Sequence, residues 1–280
     1  MSGTAIVGSL LVEITKQLEG KIPRPEREAQ LLLMHHLSCD ELWLLTNRQS
    51  EVKDLQDLYE MVQRRSQNEP LEYITNRVSF YSKEFFIAPG ALIPRPETEL
   101  LIDEVLLHYP DTNSTIQFVE VGVGSGIISI MLSLFYPNAK FIGVDISLDA
   151  LKIAKENTQR FNLQDRIEFR HGSLLDPVDE KIDYLVSNPP YIANDTFLES
   201  NLSYEPQNAL FGGEVGDEII KELLNEVLKR KINFFSCEIG YDQKDKITNY
   251  LQNQAYQSLE FYKDLSGFDR GFTLRMQNEA

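Results

Sequence analysis

The chain has 280 residues, enough to bury a large core in one big domain or two modest ones. Apolar residues make up 42% and charged residues 25%, an ordinary balance for a globular enzyme, and no apolar run approaches the length of a membrane span. The 43 acids outnumber the 27 bases to leave a formal net charge of −16, the opposite of the basic footprint that neutralises nucleic-acid phosphates. The balance disfavours direct binding of nucleic acid and leaves a basic protein partner open. The first 20 residues carry Glu13 and Glu19 and lack the basic start and apolar stretch of a signal peptide. Cys39 and Cys237 lie far apart and fit a reducing cytosol, as small apolar residues rather than ligands, so a cytoplasmic protein is expected. The four histidines give no metal constellation, and no metal is expected.

In chain order, residues 1–72 read as a small helical domain suited to docking a partner. Ile6, Leu10, Leu11, Ile14 and Leu18 recur at helical spacing, as do Leu55, Leu58, Tyr59 and Val62. Asp40 before Leu42 and Pro25 before Glu26 mark helix starts. Residues 73–93 form a connector: Val78, Phe80, Phe85 and Ile87, interrupted at Ser82-Lys83, predict a β-hairpin. Pro89-Gly90 and Pro94-Arg95-Pro96 then predict a stiff extended crossing. Residues 94–280 make the third section. From Ile116 onward, strands are predicted at 116–121, 140–145, 166–171, 183–187 and 233–239, with helices near 127–135, 148–162 and 217–230. This alternation predicts an α/β fold, a parallel sheet covered by helices on both faces. The tail, 257–264 and 271–276, predicts an antiparallel strand pair at one edge.

The run Phe118-Val119-Glu120-Val121-Gly122-Val123-Gly124-Ser125-Gly126 takes an apolar strand through three glycines into a helix beginning at Ile127. Such glycines let the chain turn sharply and let a ligand lie against the backbone at the helix N-terminus. Asp145 ends the next strand, 19 residues after Gly126, where a carboxylate can accept from two ribose hydroxyls. A dinucleotide fingerprint needs its third glycine where this chain has Ile127. Glu120 at the strand end would repel a pyrophosphate, yet it suits the ammonium of an amino-acid moiety. The pattern therefore favours S-adenosylmethionine as the ligand, with S-adenosylhomocysteine as the product.

Asn188-Pro189-Pro190-Tyr191 directly follows the apolar strand Asp183–Ser187, which places it at the carboxyl end of the sheet. An amide or exocyclic amino nitrogen is a poor nucleophile because its lone pair is delocalised. The Asn188 side-chain oxygen and the Pro189 carbonyl can accept its two N–H groups and aim the lone pair at a methyl group. The prolines stiffen the loop, so the acceptors are in place before substrate arrives. Tyr191 can stack on the flat group being methylated. No general base is required. The tetrapeptide alone fits protein, DNA and RNA amino-methyltransferases equally.

With Leu92-Ile93-Pro94-Arg95-Pro96-Glu97-Thr98-Glu99 and Pro70-Leu71-Glu72-Tyr73-Ile74, the chain resembles the protein-glutamine N5-methyltransferases of peptide chain release factors, the PrmC/HemK family. Glu205-Pro206, Ala209–Gly213, Glu238-Ile239-Gly240, and Asp264 with Gly267–Arg270 extend the resemblance over roughly residues 70–275. It implies an α/β class I (Rossmann-like) S-adenosylmethionine-dependent methyltransferase with a seven-stranded, mostly parallel sheet and a small N-terminal helical domain; separately, a monomer is expected. The implied substrate is the glutamine of a release-factor Gly-Gly-Gln tip. By position, Asn188, Pro189 and Tyr191 would be catalytic. Pro190, Arg95 and Glu97 would join them around the substrate, Arg95 and Glu97 serving either the crevice or a linker ion pair. Glu120, Gly122, Val123, Gly124, Ser125, Gly126, Asp145, Ser173 and Asn188 would surround the methyl donor. Three positions depart from the family: Glu120 replaces an aspartate, Asn76 a turn glycine, and Gly172-Ser173-Leu174 an acid and an aromatic. Other readings of the same motifs are glutamine methylation of a ribosomal protein, N6-adenine or N2-guanine methylation of nucleic acid, and a non-catalytic cofactor-binding docking protein.

Overall fold

The computed structural model describes residues 4–197, 200 and 202–277. They divide into two compact units, one comprising residues 4–77 with 200 and 202–204, the other 78–197 with 205–277.

In the first unit, β1 (Ala5–Ile6) leads into helices α1 (Val7–Leu18), α2 (Pro25–Leu37) and α3 (Glu41–Thr46). Then come β2 (Glu51–Val52), which pairs antiparallel with β1, and helices α4 (Gln56–Ser66) and α5 (Leu71–Thr75). The apolar positions at helical spacing form one core: Val7, Leu10, Ile14 and Leu18 of α1 meet Leu32, Leu58 and Val62. Asp40 caps α3 by accepting from the Trp43 backbone N–H at 2.7 Å, and Pro25 opens α2 at a position where a missing N–H costs nothing. Asn76 ends α5 in the left-handed region at φ 54°, which explains how asparagine stands in for the family's glycine there.

The second unit begins with the hairpin strands β3 (Arg77–Phe80) and β4 (Lys83–Phe86), as the sequence predicts. The stretch after Pro94-Arg95-Pro96 contains a feature that the sequence reading passed over, helix α6 (Thr98–His108). β5 (Gln117–Val121), α7 (Ile127–Phe135), β6 (Lys140–Asp145), α8 (Leu148–Arg160) and β7 (Ile167–His171) follow, each within one or two residues of its predicted span. β8 (Tyr184–Ser187) leads to two short strands, β9 (Ile192–Ala193) and β10 (Phe211–Gly213), that pair in parallel outside the main sheet. Then come α9 (Glu218–Arg230), β11 (Phe234–Glu238), the unpredicted α10 (Lys244–Leu251), and the antiparallel tail strands β12 (Ser258–Lys263) and β13 (Asp269–Arg275). Among the described residues no helix is long and apolar enough to cross a membrane.

The main sheet has seven strands in the order β12-β13-β11-β8-β5-β6-β7, parallel except where β13 joins. The order reverses between β5 and β8, and such a switch point opens a crevice at the strands' carboxyl ends. At the other end, register-paired aromatics cross four strands in one row. Phe141 stacks on Phe118 at 4.9 Å, Phe118 faces Tyr184 at 5.3 Å, and Tyr184 stacks on Phe234 at 5.2 Å. A cross-strand aromatic row holds register, because a one-residue slip would throw every ring to the opposite face.

Asp264 explains the tail motif. Its carboxylate accepts from the backbone N–H groups of Ser266 and Phe268 and pairs with Arg270 at 2.8 Å, closing the β12–β13 turn over Gly267 at φ 85°. Gly126, at φ 81°, lets α8 pack against the start of α7, since a Cβ there would lie 3.1 Å from the Ala154 Cβ. Gly126→Ala is expected to destabilise the protein by about 1–3 kcal/mol, from left-handed strain and overpacking together, read as a lower denaturant midpoint at unchanged slope.

Candidate active site

The glycine loop and the Asn-Pro-Pro-Tyr loop leave adjacent strands, with Val121 opposite Ser187. The Ser187 hydroxyl donates to the Val121 carbonyl at 2.7 Å and ties the two strand ends together. The backbone N–H groups of Gly122 and Val123 both donate to the Val144 carbonyl, at 2.9 and 3.2 Å. Gly122 and Gly124 have φ of 76° and 55°, values that a side chain resists. The next turn is held by Asp145, whose two carboxylate oxygens accept from the Gly124 and Ser147 N–H groups, each at 2.8 Å. Burial raises the Asp145 pKa and these backbone bonds oppose the rise. Each oxygen keeps a further lone pair for a ligand. The Ser125 carbonyl accepts from Asn157 of α8 at 2.9 Å, and the same amide bonds both the N–H and the carbonyl of Phe86 in β4.

Glu120 sits on β5 with its side chain buried against α7. One oxygen accepts from the Ser129 N–H at 2.9 Å and from the Ser129 hydroxyl, while Oε1 is buried without a hydrogen-bond partner. Burial pushes its pKa up to about 8 against the Ser129 bonds, with Asp145 adding repulsion. A buried carboxylate oxygen left unpaired at the edge of a cleft is a site for a cation.

The two loops border one open-mouthed, mostly apolar cleft. Its walls include Glu120, the whole run Gly122–Ser125, Asp145, Ser173, Asn188, Pro189 and Pro190, together with Arg95 and with Thr98 of α6. Gly126 stands just behind, and Tyr191 and Glu97 are not part of the wall. Tyr191 turns its hydroxyl to Glu238 of β11 at 3.2 Å instead of offering its ring to the cleft. Burial raises its pKa, and the Glu238 charge adds to the rise. Ser173 is exposed at the cleft's edge, beside Leu174 in the left-handed region at φ 47°. Arg95 pairs not with Glu97 but with Glu205, at 2.6 Å. The buried Glu205 carboxylate also accepts from the Ile93 N–H at 2.9 Å and so fixes the connector beside the cleft.

Three contributors escaped the sequence reading. Thr98, the first residue of α6, donates its hydroxyl to Glu238 at 2.7 Å and accepts from the Asn188 amide at 3.1 Å. Glu238 is fully buried, and burial pushes its pKa up to about 7 against the bonds from Thr98 and Tyr191. Gln243 is buried and donates to the Tyr191 and Gly216 carbonyls, at 3.3 and 2.8 Å, which holds the far end of the tetrapeptide. The β9–β10 pairing braces that same end, and Gly212 is required there because a Cβ would lie 2.3 Å from the Pro190 carbonyl oxygen. Glu238, Gly212 and Thr98 all stand in segments that the family resemblance singles out; a motif marks such residues without giving them partners.

Two family profiles match the chain: the PrmC N-terminal domain over residues 9–75 and the methyltransferase small domain over residues 98–204. The release factor glutamine methyltransferase of Koribacter versatilis is 38% identical over 257 residues, covering 89% of this chain and 90% of that protein. That of Clostridium acetobutylicum is 34% identical over 253 residues, covering 87% and 88%. The chain belongs to the release factor glutamine methyltransferase family. Its fold is that of the class I methyltransferases. The hMettl16 catalytic domain, solved with a MAT2A 3′UTR hairpin, matches with a TM-score of 0.59 at 14% identity over 82% of this chain and 86% of that one.

Glu120 gives this methyltransferase a pH signature. In the unfolded chain a glutamate ionises near its ordinary 4.5, whereas in the folded protein Glu120 keeps its proton up to about 8. Between these values the folded state holds the extra proton, so stability falls as pH rises through the window. Glu120→Gln is expected to remove this slope. The variant should gain on the parent by roughly 1–3 kcal/mol between pH 5 and pH 8, measured by denaturant unfolding at both values.

Proposed function

We propose that the protein transfers a methyl group from S-adenosylmethionine to the side-chain nitrogen of the glutamine in the Gly-Gly-Gln motif of a peptide chain release factor. The observation that carries the reading is the adjacency, on β5 and β8, of a cation-seeking glycine-loop site and an amide-holding proline loop. Membership of the family supplies the substrate. When bound, S-adenosylmethionine supplies an electrophilic methyl group on a cationic sulfur.

The chain's residues fit that donor. The unpaired Glu120 oxygen suits its ammonium, and Asp145, already oriented by Gly124 and Ser147, has lone pairs left for ribose hydroxyls. Gly122 and Gly124 let it lie against the backbone, and Val123, Ser125 and Gly126 complete the turn. Ser173 takes the edge of the same surface. For the substrate, Asn188 and the Pro189 carbonyl accept the two amide N–H groups. This turns the nitrogen lone pair towards the methyl group and favours the loss of planarity that bond formation requires; the methylated nitrogen, then cationic, sheds one N–H proton to solvent. The stiffness of Pro189-Pro190 and the bracing at β9–β10 place these acceptors in advance. Tyr191 serves this arrangement from behind, through Glu238, in place of the stacking role expected from the sequence. Arg95, fixed by Glu205, lines the approach to the cleft, and Glu97 lies beside it ahead of α6. The N-terminal helical unit docks the release factor.

Asn188→Ala is expected to lower turnover on a release factor by on the order of 10²-fold while changing S-adenosylmethionine affinity only a few-fold. An equal loss in both would assign Asn188 to the donor instead. Mass spectrometry of the Gly-Gly-Gln peptide should show a gain of about 14 daltons, the mass of one CH₂, on the glutamine only when the protein and S-adenosylmethionine are both supplied. Labelling of RNA with no labelling of release factor would overturn the substrate.

A further inference from the structure

The hydrogen bonds behind the Asn-Pro-Pro-Tyr loop run in one direction. Tyr191 donates to Glu238 Oε1 at 3.2 Å, Thr98 donates to Glu238 Oε2 at 2.7 Å, and Asn188 Nδ2 donates to Thr98 Oγ1 at 3.1 Å. A threonine hydroxyl has a single hydrogen. Once Thr98 has given it to the carboxylate, its oxygen can only accept, and the only donor on the Asn188 side chain is Nδ2. The acceptor Oδ1 is then left for the cleft that Asn188 lines.

We propose that Glu238 is a positioning residue that acts through Thr98 to decide which end of the Asn188 amide faces the substrate. The proposal rests on the reading that the cleft methylates a glutamine amide. With Glu238 ionised, the chain of donors runs towards it and Asn188 presents the oxygen that the substrate N–H needs. With Glu238 protonated, the carboxyl donates to Thr98. The Thr98 hydrogen is then released towards Asn188, whose amide turns over and offers the cleft a donor that opposes the substrate N–H. Glu238 is therefore a proton-controlled latch on the polarity of the site.

The groups around Glu238 set where the latch trips. Burial raises its pKa to about 7, Thr98 and Tyr191 oppose that, Glu97 ahead of α6 raises it, and Arg270 of β13 lowers it. Tyr262 of β12 and Cys237 also lie within electrostatic reach, and their own raised values keep both neutral at pH 7. Because the acid form is the inactive one, turnover should rise as pH passes upward through about 7. Glu120 is kept out of this window at saturating methyl donor, because the donor's ammonium, set against the Glu120 carboxylate, favours its ionised form and lowers its pKa.

The test measures kcat and KM for release factor at saturating S-adenosylmethionine from pH 5.5 to 8.5. The parent should show a single-proton rise in kcat. Tyr191→Phe, which removes a donor to the carboxylate, should move the midpoint to higher pH. Glu238→Gln should abolish the step. Thr98→Val should lower kcat on the order of 10- to 100-fold with no pH step, and Thr98→Ser should restore both rate and step. A readout independent of turnover is the side-chain amide resonance of Asn188, which should titrate with the same midpoint in the parent and not in Glu238→Gln. The proposal is overturned if Glu238→Gln keeps the parent's pH step, or if Thr98→Val turns over as the parent does. If the parent itself methylates no release factor while the Asn188 resonance still titrates, the substrate reading fails and the latch stands.

Discussion

Everything at this site depends on the pairing of β5 with β8. In sequence these strands are separated by two others and their helices, yet in the sheet they are neighbours. Their shared end is where the strand order reverses. A glycine turn on one strand and a proline turn on the other are thereby brought to a common opening. The aromatic row at the opposite end of the same strands fixes this alignment. The proposed methyl-donor and substrate halves of the site are thus brought together by the register of one strand pair.

The two buried glutamates show how this architecture uses acidity. Both lie at the upper ends of central strands, and burial raises the pKa of both. Glu120 keeps one oxygen without a partner. Glu238 has both oxygens engaged by hydroxyl groups. The first arrangement stores an unmet demand for a cation at a cost to the empty fold. The second stores no such demand and exerts its influence through neighbours. Two carboxylates of the same type, at equivalent depths, therefore take different work according to whether a partner was already in place.

The sequence was most legible where period and punctuation coincide. The strands β5 to β8 and β11 are short, largely apolar runs bounded by glycine, aspartate or asparagine, and their spans were read within a residue or two. Helix α6 was hidden because its start follows two prolines and reads as more connector. Helix α10 is short and mostly polar, so its period is weak. The β9–β10 ladder rests on backbone proximity between segments about 20 residues apart, and side-chain pattern carries no trace of it. At the cleft, the lining residues proposed to touch the ligand stood out by type: glycines, Asp145, Glu120, Asn188. Those whose role is to hold them did not. Thr98 and Glu238 are 140 positions apart, and only the folded sheet and α6 bring them together. Tyr191 was assigned to the ligand by its ring, whereas its hydroxyl decides where it sits.

The orientation of Asn188 also decides what the cleft refuses. A glutamate side chain has the shape of glutamine, but ionised it carries two oxygens and no hydrogen. Placed against the Asn188 oxygen and the Pro189 carbonyl, it would set lone pairs against lone pairs in a partly dry pocket. Such a clash costs far more than the loss of a contact, and no rotation of the carboxylate relieves it. On the proposed reading, a deamidated release factor would be turned away at the same two atoms that would hold the intact one, so the site would read the chemical integrity of its target as well as its identity.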